Sequence, residues 1–183
     1  MRTQYDQLDI KRFIEQLEAQ IVAAFPPDQP LCVIGILTRG ETLAQRLISS
    51  LAKRGYNRIQ RGVLDVTLYR DDLSDIGPKA MVRPTHVDFN INGIPLLLVD
   101  DVLFTGRSTR AALNALIDFG RPSVIRLAVL VDRGGRELPI QADFVGLTLK
   151  DIPVHHRVNV HFVEDDGVDE IVVEPKNGNR ESH

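Results

Sequence analysis

Two adjacent carboxylates, Asp100 and Asp101, stand four residues ahead of Thr105-Gly106-Arg107-Ser108-Thr109, and no other stretch of the chain gathers so much chemistry. The hydroxyls of Thr105, Ser108 and Thr109, together with the unpaired N–H groups of a helix start, can surround an anion. Gly106 has no side chain to keep a ligand from the backbone N–H groups. Two acids beside such a cradle would repel a bare phosphate, so they must accept hydroxyls or face a metal ion. A sugar phosphate supplies both the anion and the hydroxyls.

The surrounding residues place this string at a strand-to-helix junction. Leu96 to Val99 is a four-residue apolar run of the kind buried on both faces of a parallel sheet, and the strand is expected to stop at the acids. Ala111, Ala112, Leu113, Ala115, Leu116 and Ile117 follow at helical spacing, so a helix opens at the Thr-Gly-Arg-Ser-Thr string. The acids then lie at the carboxyl end of a strand, the edge at which open α/β sheets bind ligands. Two plainer readings share parts of the pattern: a βα turn with ordinary capping residues, and an acidic pocket of the response-regulator kind.

The same layout recurs. The apolar run Leu31 to Leu37 is followed by Thr38-Arg39-Gly40, and then by Leu43, Ala44, Leu47, Ile48 and Leu51 on one helical face. Arg39 and the Gly40 backbone suit a second anion. A third strand, Val124 to Val131, ends in the polar loop Asp132 to Pro139, which contains Arg133, Gly134, Gly135 and Arg136. Elsewhere, Ile10, Phe13, Ile14, Leu17, Ile21 and Val22 define an amphipathic helix from Asp9 to Ala24, and Gly62 to Tyr69 alternates as a strand does. Arg70 to His86 has no periodicity and reads as a lid. Asn92-Gly93 marks a turn, Gly120 a helix C-cap, Ala142 to Gly146 a short strand, and Val158 to Val163 with Glu170 to Val173 a terminal hairpin around Asp165-Asp166-Gly167.

Composition sets the outer limits. The 183 residues are 43% hydrophobic and 26% charged, with a formal net charge of −3, enough for one substantial core and no global electrostatic case for nucleic acid. A single domain spanning 1–183, with 177–183 disordered, is expected, as is a cytoplasmic location without membrane association. Cys32 lies in an apolar run and reads as an inert buried thiol. No P-loop, dinucleotide fingerprint or zinc motif is present, and His155, His156 and His161 lack a matching ligand set.

Taken whole, the string from Leu96 to Thr109 resembles the phosphoribosyl diphosphate (PRPP) motif of the type I phosphoribosyltransferases. Thr38-Arg39-Gly40, Gly62 to Leu73, Val131 to Ile140 and Ala142 to Gly146 resemble, more narrowly, the bifunctional pyrimidine operon regulator and uracil phosphoribosyltransferase family. That resemblance implies an α/β fold: an open, mostly parallel twisted sheet with flanking helices, a flexible lid and a terminal β-hairpin. It implies uracil and PRPP as substrates, uridine monophosphate (UMP) and pyrophosphate as products, and Mg2+ bound through PRPP rather than through assigned protein ligands. By the same resemblance Thr105 to Thr109 hold the ribose 5-phosphate and Asp100 and Asp101 the ribose hydroxyls. Thr38, Arg39 and Gly40 then meet the pyrophosphate, Arg70 reaches it from the lid, and Asp132, Arg133, Gly134 and Arg136 lie where the base is read. Further implied partners are uridine nucleotides, pyrimidine-operon messenger RNA and a second copy of the chain, as a dimer or an assembly of dimers.

The RNA partner is where the sequence departs from its resemblance. The first helix carries Glu15, Gln16, Glu18 and Ala19 where RNA-binding members tend to carry threonine, arginine and histidine. Gly135, Gln141 and Leu147 stand where histidine, arginine and lysine are frequent, and only Arg136 of that group is kept. Six acids fall between Glu164 and Glu174. Weakened RNA binding is the expectation.

Overall fold

The computed structural model describes residues 3–66 and 85–175. Arg70, most of the expected lid, the strand end from Thr67 to Tyr69 and the tail from Asn177 lie outside the described residues. The elements run β1 (Thr3–Tyr5), α1 (Gln7–Ala24), β2 (Leu31–Ile36), α2 (Arg39–Lys53), β3 (Ile59–Leu64), β4 (Leu96–Leu103), α3 (Arg107–Leu116), β5 (Ile125–Asp132), β6 (Phe144–Thr148), β7 (His156–His161), α4 (Val163–Asp166) and β8 (Glu170–Pro175).

Five strands form a parallel sheet in the order β3-β2-β4-β5-β6. Its central strands are apolar throughout because both faces are covered. Val33, Leu97 and Val99 point into the core shared with α1 and α2, whereas Cys32, Ile34, Leu96 and Leu98 point into the core closed by α3. With a period of two and two buried faces, alternation disappears and a continuous apolar run remains. Burial raises the Cys32 thiol to about 11, which keeps it a thiol, as expected of an inert cysteine.

Helix α1 starts earlier than the apolar pattern alone indicates. Asp6 accepts the N–H groups of Leu8 and Asp9, at 2.9 and 3.1 Å, and Asp9 accepts the N–H of Asp6 at 3.2 Å. This capping box extends the helix to Gln7 and is worth about 1 kcal/mol. Helix α3 ends at Leu116, so Gly120 lies beyond the helix and not at its C-cap, Ile117. Strand β6 begins at Phe144 rather than Ala142.

The second sheet corrects the expected hairpin. β7 and β8 pair antiparallel, but a helical turn, α4, separates them, and β1 adds to the outer side of β8 to give the order β1-β8-β7. A tripeptide strand such as β1 carries too little pattern to be read from sequence. The expected lid leaves one described trace: Thr85 and His86 return to the sheet edge, where His86 exchanges both backbone bonds with Val63, at 2.8 and 2.9 Å. No helix among the described residues is long and apolar enough to cross a membrane.

Two glycines decide where α2 sits. A Cβ on Gly35 would lie 2.5 Å from the Glu41 Cα, and one on Gly40 would lie 2.6 Å from the Val99 carbonyl oxygen. The first turn of α2 therefore lies directly on β2 and β4, closer than any side chain permits. Gly40→Ala should push α2 off the sheet and cost about 1–3 kcal/mol by overpacking. Urea unfolding checks this, and a midpoint equal to that of the parent chain would show that the contact can relax.

Candidate functional site

The site lies where β2 and β4 part. Their pairing ends at Gly35 opposite Val99, as β2 turns away into α2. β4 continues to Leu103, held only by β5, with Asp100 opposite Val129 and Leu103 opposite Asp132. The expectation that the strand stops at the acids is thus corrected. The strand runs through them, and what stops is its second neighbour. Polar residues are tolerated there because that edge of β4 has no strand against it. Asp100 is 7% exposed, and its carboxylate accepts the Asp101 N–H at 3.0 Å. Gly40 packs against it, since a Cβ there would come within 3.4 Å of the Asp100 Oδ1. Asp101 is more open.

The Thr105 to Thr109 string closes the other side. Gly106 is the N-cap of α3 with φ of 92°, in the left-handed region that favours glycine. Gly106 has no side chain with which to cap α3, so the helix start keeps N–H groups beyond that of Arg107 for another acceptor. Thr105 Oγ1 accepts the Arg107 N–H at 3.3 Å. The Thr109 hydroxyl is buried and has no hydrogen-bond partner, so it is a polar atom inside the cradle that a bound group could satisfy. The Arg107 guanidinium pairs with Glu137. The cradle is narrow, because a side chain at Gly106 would press on Leu138 and Ile140 as well as on a ligand.

The loop after β5 is organised by its own arginines, which changes what sequence reasoning assigned to them. Arg136 donates to Asp132 at 2.5 Å, to the Ile140 carbonyl at 2.8 Å and to the Phe104 carbonyl at 2.9 Å. It pins the loop to the end of β4. Asp132 also accepts the Gly134 N–H at 2.9 Å. Arg133 is 6% exposed, lies 3.8 Å from the Phe104 ring and donates to the His156 carbonyl at 2.9 Å. Burial lowers its affinity for a proton. Asp132 and Arg136 bond each other, and Arg133 reaches inward to β7. The loop's side chains hold it in shape, and what they leave for a ligand is mainly backbone.

Arg39, in the first turn of α2, is held by a residue that sequence reasoning left as part of a turn. Its Nε and Nη2 donate to the two carboxylate oxygens of Asp166, at 3.1 and 2.7 Å. The Asp166 hydrogen bonds hold the guanidinium above its ordinary value, and Asp101 adds to the same field. Further along α2, Thr42 donates to Asp165 at 2.5 Å, and Arg46 donates to Glu164 and to Asp169, at 2.5 and 2.6 Å. The α4 turn thus zips the small sheet onto the helix that carries Arg39. The clue in the sequence was charge spacing: Arg39, Thr42 and Arg46 share one face of a helix, and an acidic run stands near the C-terminus. Among the described residues, no group of three or more His, Cys, Asp or Glu side chains is placed to hold a metal ion.

Known proteins share the family and the fold. The family model for the phosphoribosyl transferase domain matches residues 2–163. The chain is 48% identical over 163 residues to the bifunctional protein PyrR of Deinococcus radiodurans, covering 88% of this chain and 87% of that protein. It is 47% identical over 172 residues to the bifunctional protein PyrR of Thermus aquaticus, covering 93% of each. Among solved structures, the hypoxanthine phosphoribosyltransferase of Trypanosoma cruzi superposes with a TM-score of 0.68 at 20% identity, covering 93% of this chain and 95% of that one. A hypoxanthine-guanine phosphoribosyltransferase of Bacillus anthracis gives a TM-score of 0.66 at 16% identity, covering 95% and 100%.

The zipper carries a pH dependence whose sign is fixed. Hydrogen bonds from Arg39 hold the Asp166 carboxyl well below its usual range, and those from Arg46 lower Glu164. Burial works most strongly on Asp169, against its charge, but the bonds and charge of Arg46 together with the Val163 N–H outweigh it and lower that group too. Depressed carboxyls stabilise the fold above their unfolded values, near pH 4, and that stability is lost as pH falls toward the folded values. Arg46→Gln should cost about 1–3 kcal/mol at pH 7 and flatten the loss of stability between pH 4 and pH 2. Denaturant midpoints across that range would show a parallel fall in both proteins if the zipper contributes nothing.

Proposed function

The chain belongs to the phosphoribosyltransferase family, in the branch of the bifunctional PyrR proteins, and from that premise we propose that it converts uracil and PRPP to UMP and pyrophosphate. The observation that carries this reading is the paired-acid strand end of β4 beside the glycine-capped start of α3. On this reading Asp100 and Asp101 accept the ribose hydroxyls, and the N–H groups and hydroxyls of Thr105 to Thr109 take the 5-phosphate, with the buried Thr109 hydroxyl gaining a partner. Thr38, Arg39 and Gly40 take the diphosphate, and Arg70, outside the described residues, is proposed as a further cation for it. Backbone groups of Asp132 to Arg136 read the edge of the uracil.

In the reaction the ribose C1–O bond to diphosphate breaks and a C1–N1 bond to uracil forms, with loss of the N1 proton. Positive charge develops on the ribose and negative charge on the leaving diphosphate. Positioning and fixed charges suffice for such a step, and we assign no general base. Two neighbouring carboxylates, with no larger acidic cluster among the described residues, fit Mg2+ that arrives on PRPP, since that ion keeps few protein ligands beside substrate phosphates. When bound it offsets diphosphate charge. Arg39 orients the leaving group, and the acids hold the sugar so that C1 faces the base.

The test is a product assay with PRPP and each nucleobase in turn. UMP is the expected product, and turnover of hypoxanthine or guanine in preference to uracil would reject the acceptor while leaving the transferase. Ser108→Ala should weaken PRPP binding roughly tenfold, the scale of one hydrogen bond to a charged group. It is a cleaner probe than Gly106→Val, whose strained φ and contacts with Ile140 would disturb the fold by themselves. Calorimetry that returns the parent affinity would remove Ser108 from the cradle.

The second half of the reading is regulation, with uridine nucleotides sensed in the same pocket and pyrimidine-operon RNA bound weakly. On α1, Glu15, Gln16 and Ala19 are exposed, so the acid at position 15 meets any phosphate that approaches that face. Glu18 is not part of that argument: it is 5% exposed and bonded to Ser50 and Arg54 between α1 and α2. Arg136, the one cation kept in the second region, is committed to Asp132 and backbone carbonyls. Each missing phosphate contact removes about 0.7–0.9 from the slope of log affinity against log salt. Binding to an operon leader transcript should be weak and non-specific at physiological salt, and tight binding enhanced by UMP would overturn this half.

A further inference from the structure

Arg39 is the cation in the described part of the proposed diphosphate site, and its orientation depends on a different sheet. The guanidinium is planar with five N–H donors in a fixed fork. Asp166 engages it along one edge, through Nε and Nη2, and so leaves the Nη1 side for another acceptor. A side chain with several free torsions is thereby fixed, because a bidentate carboxylate sets both the position and the plane of the fork.

Asp166 is itself held. Its Oδ2 accepts the Phe162 N–H at 3.1 Å, and His161 Nδ1 lies 3.4 Å from its Oδ1. Its neighbours anchor the turn independently, Asp165 on Thr42 and Glu164 with Asp169 on Arg46, whose guanidinium lies 4.6 Å from the centre of the Phe162 ring. The turn is held through Arg46 and Thr42 whether or not Asp166 meets Arg39, and a partly exposed pair such as Arg39 with Asp166 adds little to fold stability by itself. An assembly that fixes a carboxylate by its own backbone and then uses it to aim an arginine beside Asp101 is better explained by what that arginine must meet.

We propose that Asp166 is the positioning residue for Arg39, setting the guanidinium so that its remaining donors meet the diphosphate of PRPP or free pyrophosphate. This role rests on Arg39 being a diphosphate ligand, as proposed for it in the transfer reaction. Asp166 does not touch the ligand. It acts by removing the orientational freedom that Arg39 would otherwise lose on binding. It also joins the small sheet to the chemistry, since the turn between β7 and β8 then determines how well the leaving group is held.

Two ligands separate this role from a purely structural one. Pyrophosphate with Mg2+ would use Arg39, whereas UMP, held at the α3 cradle and the base loop, would not. Asp166→Asn should weaken pyrophosphate binding roughly tenfold, within the range that coupled neighbours show, and leave UMP affinity unchanged. In the same variant kcat/KM for PRPP should fall while KM for uracil holds. Arg39→Gln should weaken pyrophosphate in the parent chain, and should cost less in the Asp166→Asn background. Glu164→Gln, which alters the same turn without touching Arg39, should leave pyrophosphate affinity as it is.

Unchanged pyrophosphate affinity in Asp166→Asn would overturn the proposal. Tighter affinity would overturn it as well, by making Asp166 a competitor of the ligand instead of its support. Parallel losses for pyrophosphate and UMP would reduce Asp166 to a residue that holds the fold. If Arg39→Gln leaves pyrophosphate binding intact, the diphosphate reading of Arg39 fails first and the proposal falls with it. If Arg39→Gln weakens binding and Asp166→Asn does not, the proposal fails alone.

Discussion

The contact on which the site depends is the seating of α2 on the sheet through Gly35 and Gly40. Parallel strands prefer to continue side by side, and β2 could have followed β4 through the acids. It does not, because the chain turns at Leu37 and Thr38 and sends a helix back across the strands at a distance that only glycine allows. The result is a strand end with one neighbour instead of two. Into the space beside it come the first turn of α2 from one side and that of α3 from the other. Each helix start adds unpaired N–H groups and a favourable dipole for an anion. A residue larger than glycine at position 40 would separate these parts before it met any ligand.

Arginine shows how much of a polar site can be scaffolding. Arg133 and Arg136 sit in the loop nearest the proposed base position, yet both direct terminal donors to backbone carbonyls or to Asp132, and the Arg133 Nε is buried without a partner. Such bonds matter because loop carbonyls that are partly buried need partners, and one guanidinium can satisfy several at once. Arg133 additionally lies over Phe104, so the end of β4, the loop after β5 and the start of β7 are tied through one side chain. A loop fixed in this way can read a flat heterocycle with backbone groups, whose positions are set more firmly than those of any flexible side chain.

The strands and the cradle were legible because their signals are local. A continuous apolar run followed by acids, and a glycine among hydroxyl residues before an apolar helical face, are patterns of ten or so residues. What lay hidden depends on contacts between distant segments. Nothing near Asp166 marks it as the partner of Arg39, 127 positions away, because an acid in a short turn is the commonest of surface features. Glu18 misled for a related reason. On a helical wheel it lies at the boundary of the apolar face, and only the approach of Ser50 and Arg54 from α2 turns it inward. The end of β4 was misread because pairing to one side or to two cannot be told from the strand's own residues.

Charge balance around the cradle sets the final constraint. PRPP carries a monophosphate and a diphosphate, and in the proposed transfer reaction both must settle beside Asp100 and Asp101, in a chain whose formal charge is already −3. The cations in the described part of the site are not spare: Arg107 pairs with Glu137, and Arg39 gives one edge to Asp166. Among the described residues, then, the binding proposed does not rest on uncommitted cationic side chains. In the proposed reaction the burden falls instead on neutral donors fixed in place, namely helix N–H groups and the hydroxyls of Thr105, Ser108 and Thr109, and on the divalent cation proposed to enter with the substrate. Donors of that kind lose little entropy on binding and need no reorganisation when charge shifts to the leaving group, which is the property a transfer through a cationic sugar requires. Committing the arginines elsewhere is then consistent with the chemistry, because an arginine already held along one edge is a fixed donor too.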